Sequence, residues 1–84
     1  MSDFARVESE EVRQQLAQGH HQIHGAEQGD RMEGAVMMAG GIVCAIDMYG
    51  PDVVEDDWVD HVEEVAPVLG TLLRNYIQHF SLFA

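Results

Sequence analysis

Five histidines in an 84-residue chain are the side chains best suited to chemistry near neutral pH, and three of them, His20, His21 and His24, fall together. Two imidazoles four apart on a helix have a metal-ligand spacing. If the helix carrying them ran on past Gly25, His20, His24 and Glu27 would share one face. A stable site needs a third or fourth oriented ligand, and Gly25 and Gly29 interrupt that extension. The sequence therefore assigns no metal and no cofactor, and His20, His24 and Glu27 are its only candidates for a metal. His61 and His79 lie at the edge of an apolar stripe, where an amphipathic ring rests on a core border. On one continuous helix they are about 27 Å apart, too far to share an ion within the chain.

The second feature is a run of acids. Asp52, Asp56, Asp57, Asp60, Glu63 and Glu64 face one side of a C-terminal helix with no Lys or Arg among them. Asp52, Asp56, Asp60 and Glu64 form a row at steps of four, in which each like-charged pair costs about 0.2–0.5 kcal/mol. The helix dipole offsets part of this, because most of the acids lie in the first half of the helix. Two readings follow: a solvated face that keeps a small protein soluble, or a docking strip for a basic protein surface.

Nucleophilic chemistry has little support. Cys44 sits among Val43, Ala45 and Ile46, a setting for a packed thiol rather than an activated one. The serines lie near chain ends or a helix start, lysine is absent, and the glycines match neither a Walker loop nor a dinucleotide fingerprint. The expectation is that the protein is not an enzyme.

Fifteen acidic residues against four arginines give a formal charge of −11. That balance disfavours direct nucleic-acid or membrane partners, since the phosphate contribution to affinity would be repulsive. One cysteine excludes an intrachain disulfide and suits a reducing compartment. The start of the chain lacks the order of a signal peptide, and the uncharged run from Gly34 to Ile46 is short for a bilayer span. A soluble, cytoplasmic protein is expected.

To position these residues, the patterning calls for an all-α chain of three helices in a single domain spanning residues 1–84, with residues 1–7 the least firmly held. The first helix, about Ser9 to His24, has a thin stripe of Val12, Leu16 and Ile23. The last begins at the Gly50–Pro51 turn with Asp52 as N-cap and Glu55 three residues on. Its stripe of Val54, Trp58, Val62, Val65, Leu69, Leu72, Tyr76 and Phe80 keeps phase across Pro67. This predicts one long helix bent at the proline; the alternative is two helices meeting at Ala66 and Pro67.

The middle helix, about Asp30 to Tyr49, is apolar on two sides. One stripe holds Met32, Ala35, Val36, Ala39, Ile42, Val43 and Ile46. The reverse face gathers Gly34, Met37, Gly41, Cys44, Ala45 and Met48. The alternative here is a break at Gly40 and Gly41 into two short helices. By its count of apolar residues the thin first helix falls short of covering the reverse face, which predicts a homodimer packed across Gly41. The functional expectation is a small acidic interaction module, a stoichiometric regulator or inhibitor of a larger, basic or nucleic-acid-binding protein. The alternatives are a metal-binding or metal-sensing module built on the histidines, and a structural subunit of an assembly.

Overall fold

The computed structural model describes Phe4 and residues 6–83, with the backbone alone for Leu82 and Phe83. Four helices follow in order, α1 (Glu10–Ile23), α2 (Gln28–Tyr49), α3 (Asp56–Val65) and α4 (Pro67–Phe83), with a 3-10 turn at Pro51–Val53. No strand occurs among the described residues, so the all-helical reading holds.

Helix α1 starts where Ser9 accepts a hydrogen bond from the Val12 amide, with Glu10 and Glu11 in the first turn where the dipole favours them. Its buried residues, Val12, Leu16, Gly19 and Ile23, follow one helical face. That face lies on α2, and glycine decides how closely. A Cβ on Gly19 would come within 2.7 Å of the Met38 amide nitrogen, and one on Gly34 within 2.8 Å of the Gly19 carbonyl oxygen. The two backbones nearly touch where these residues cross. Further along, the Leu16 side chain fills the space over Gly41, at 2.9 Å from a built Cβ.

This arrangement corrects the expected dimer face. Gly34, Gly41 and Ala45 are buried by α1 and the core of the same chain, and no second polypeptide is needed over them. The thin stripe suffices because backbone-to-backbone approach covers area that side-chain counting misses. Of the remaining residues of that face, Met37 is half-buried, whereas Cys44 and Met48 are exposed. Helix α2 is continuous through Gly40 and Gly41. By length and apolar content it is sufficient to cross a bilayer, and in this fold it is the packing surface for α1, α3 and α4.

The C-terminal half also departs from expectation. Gly50, at φ 89°, ends α2, its amide donating to the Ile46 carbonyl at 2.8 Å. Asp52 lies in the 3-10 turn, and Glu55 occupies the N-cap of α3 without a side-chain capping bond. Pro67 breaks the chain into two helices rather than bending one. Ala66, the residue before the proline, takes φ −136° and ψ 85°, and Pro67 begins α4, where its missing N–H leaves no helical bond unmade. The break shifts the phase: Trp58, Val59 and Val62 are buried on α3, but on α4 Leu73 is buried and Leu72 is 57% exposed.

The core centres on Trp58, Leu16, Met38, Ile42 and Ile46. Phe4 and Val7, expected among the loosely held residues, belong to it. The segment is tied down by Arg13 donating to the Val7 carbonyl and the Ser9 amide donating to the Tyr49 hydroxyl. Residues 1–3 and Ala5 lie outside the described residues.

Candidate metal centre

Helix α1 ends one residue short of a full commitment to His24. That residue is the C-cap, its amide still donating to the His21 carbonyl at 3.3 Å, so it keeps helical register with His20 one turn earlier. The Arg31 guanidinium donates to the Ile23 carbonyl at 3.2 Å and fixes this end of the helix. The chain then turns away at Gly25, and Glu27 becomes the N-cap of α2, exposed and apart from the two imidazoles. The candidate set of His20, His24 and Glu27 is therefore not assembled.

A third imidazole takes the place of the carboxylate. His61 lies one turn beyond Trp58 on α3, and burying that indole against the core turns His61 toward α1. Its ring centroid is 4.8 Å from that of His20 and 5.3 Å from that of His24, and the His20 and His24 centroids are 4.7 Å apart. The rings meet edge to face, at 75–82°. One ring nitrogen from each histidine falls within 4.8 Å of the other two.

In a tetrahedral site with zinc–nitrogen bonds of about 2.0–2.1 Å, neighbouring nitrogens are about 3.3 Å apart. Side-chain rotations bringing each nitrogen inward by under about 1 Å would close the triangle. His20 and His61 are half-buried and His24 is exposed, so the cluster opens to solvent on one side. Behind it the Phe4 ring sits between His20, at 5.8 Å, and Trp58, at 4.9 Å, which holds the His20 side of the cluster against the core. His21 is exposed on another face of α1, and His79 lies beside Phe80 on α4; neither belongs to the cluster.

The acidic strip is dispersed by the same fold. Asp60 and Glu63 are engaged by Arg74 of α4, at 2.6 Å and 3.2 Å, and Gly70 lets α4 pack directly on the Glu63 side chain. The Arg74 guanidinium is held in its charged form by those bonds, Glu63 first and Asp60 second, its pKa raised from the usual value. Asp52, Asp56, Asp57 and Glu64 remain exposed.

One further surface was absent from the sequence reading. Between α2 and α4 lies an apolar cavity of about 320 Å³, lined by Ala39, Gly40, Val43, Leu69, Leu72, Leu73 and Tyr76. At its edge the Tyr76 hydroxyl donates to the Asp47 carboxylate, and that bond raises the tyrosine pKa above its ordinary value.

The chain matches no protein-family model, and no curated protein or solved structure matches it. The functional reading rests on the geometry alone. The i, i+4 pair His20 and His24 was legible as a spacing, whereas His61 was missed because its relation to them exists only after α3 docks. The one available signal was its place three residues after Trp58, on the border of the buried stripe.

Proposed function

We propose that this protein is a metal-binding module whose centre is His20, His24 and His61, serving to bind or sense a transition-metal ion. The observation that carries the reading is the convergence of three imidazoles from two separate helices. Imidazole donors suit zinc, copper, nickel and iron rather than calcium or magnesium, which prefer oxygen. A net charge of −11 raises the local concentration of any cation around the molecule. The ion would also tie α1 to α3, so that binding contributes to stability.

The test is calorimetric titration of the purified, metal-free protein with zinc. One equivalent per chain is expected, lost on His20→Ala, His24→Ala or His61→Ala and kept on His21→Ala and His79→Ala. Binding that survives His61→Ala, or that depends equally on His21, defeats the reading.

A second reading, the acidic interaction module, draws support from the cavity between α2 and α4. Leu72, which lines it, is 57% exposed, and Val68, one turn earlier on α4, is 72% exposed. Leu72 and Arg74 are two residues apart and so project from opposite sides of α4, which keeps the groove away from the acids that Arg74 engages. Two copies meeting at the groove would hold their acidic faces apart, leaving those faces for a basic protein partner in the cytoplasm. Light scattering expects a dimer that Leu72→Asp converts to a folded monomer; a monomeric wild-type protein removes this reading.

A further inference from the structure

We infer that the apolar cavity between α2 and α4 binds a small primary amine with a hydrocarbon tail, the tail inside the cavity and the ammonium group against Asp47. This site is separate from the histidine cluster, which joins α1 to α3, and does not rest on the metal reading. It gives the cavity a different occupant from the second copy of the dimer reading.

Size and lining select the tail. The cavity, about 320 Å³, falls at the lower end of the range for small-ligand pockets, about 300–1,000 Å³. At about 30 Å³ per water-sized group it has room for about ten non-hydrogen atoms. Ala39, Gly40 and Val43 of α2 line it together with Leu69, Leu72 and Tyr76 of α4. Leu72 is exposed where it lines the cavity, and a hydrocarbon tail would take that surface out of water.

The polar edge selects the head group. Tyr76 is half-buried, and its hydroxyl donates to the carboxylate of Asp47, two turns past Gly40 on α2. With its one proton so used, the phenol oxygen has only lone pairs left to offer, and an ionised carboxylate only accepts. The pair therefore presents acceptors, and the ligand must bring the donors. An ammonium group carries three donors and no acceptor, and charge on both partners strengthens the bond. A fatty acid fits poorly, because its carboxylate would face another carboxylate on a chain of net charge −11. The chain's four arginines, Arg6, Arg13, Arg31 and Arg74, are each engaged with other partners. A second copy also fits less well, since an isologous contact brings the same patch from both chains, and with it both Asp47 carboxylates, to one interface.

Octylamine, octanol and octanoate serve as probes, titrated calorimetrically into the metal-free protein at pH 8, where an ordinary imidazole is neutral. One octylamine per chain is expected, bound about three- to tenfold more tightly than octanol, with octanoate weaker than either. Hexylamine, shorter by two methylenes, should bind about tenfold more weakly than octylamine. Asp47→Asn should remove the amine's advantage and leave octanol unchanged, whereas Leu72→Asn should weaken both. Asp56→Asn, the same change of charge at an exposed position on α3, should alter neither. An amine no tighter than octanol, an advantage that survives Asp47→Asn or is lost equally in Asp56→Asn, or an affinity indifferent to Leu72→Asn overturns the inference. So does a dimer in light scattering that takes up no octylamine, which would give the cavity to a second copy.

Discussion

Replacing Gly34 with alanine puts the α1–α2 crossing to the test, and with it the placement of two of the three histidines. The new Cβ would lie 2.7 Å from the Gln22 Cβ and the Ile23 amide nitrogen, and 2.8 Å from the Gly19 carbonyl oxygen. Ordinary contact begins at 3.4 Å, so α1 must retreat by about 0.7 Å. Overpacking of this kind costs about 1–3 kcal/mol. Alanine returns about 1 kcal/mol of helix propensity relative to glycine. Two of the three obstructing atoms are backbone and cannot rotate aside, which places the steric cost at the upper end and the net loss at about 1–2 kcal/mol. For a domain of this size that is a fall in Tm of about 5–15 °C, read by far-ultraviolet circular dichroism.

Because α1 carries His20 and His24, the same retreat should weaken zinc binding about tenfold or more, comparable to losing an outer-shell support. Gly29→Ala serves as the control, since nothing lies within 4 Å of its built Cβ, and it should leave both quantities nearly unchanged. An unchanged Tm for Gly34→Ala accompanied by altered oligomeric state would refute the reasoning. That outcome would place Gly34 against a second chain rather than against α1.

Further outcomes follow from the same packing. Leu16→Ala removes the side chain that roofs Gly41 and should cost about 2–5 kcal/mol, measured as a lowered urea midpoint. Zinc at about a hundred times its Kd should add about 2.7 kcal/mol of stability, so a chelator should lower Tm by about 10–20 °C; equal Tm values with and without chelator would contradict a site in the native fold. Pro67→Ala should shift stability by under about 1 kcal/mol, because the proline sits at the first position of α4; a gain near 3 kcal/mol would instead indicate a helix running through it. The Tyr76 phenol, bonded first of all to Asp47, has its pKa raised in the folded protein. Its contribution is thus whole below the unfolded tyrosine's pKa near 10 and disappears as pH rises through the higher folded value. Tyr76→Phe should lose stability at neutral pH and show a flatter alkaline limb in denaturation curves.

Much of the secondary structure was legible because it depends on neighbours in sequence. The periodic Val12, Leu16 and Ile23 mark α1, and the Gly50–Pro51 pair marks the end of α2. Pro67 was ambiguous for a physical reason: a proline at the first turn of a helix and one in a bent helix interior leave the same apolar pattern nearby. The burial of Leu73 in place of Leu72 separates the two cases, and it reflects the direction in which α4 leaves Ala66.

The candidate site divides along the same line. His20 and His24 share a face by helical geometry alone, and their spacing already raised the possibility of a ligand pair. His61 joins them because Trp58 is buried, a packing event between residues more than thirty positions apart. The glycines carry the opposite lesson. The pattern around Gly34 and Gly41 predicts a second chain packed across that face, whereas the neighbour that comes close there is α1 of the same chain. A glycine reports that some backbone or side chain comes near; its spacing carries no information on whose. The sequence by itself determined an acidic, all-helical chain with a histidine pair on its first helix. Tertiary structure alone decided that α1 covers α2 and that a third imidazole completes the cluster, because docking energy depends on which surfaces meet and local periodicity specifies only which surfaces exist.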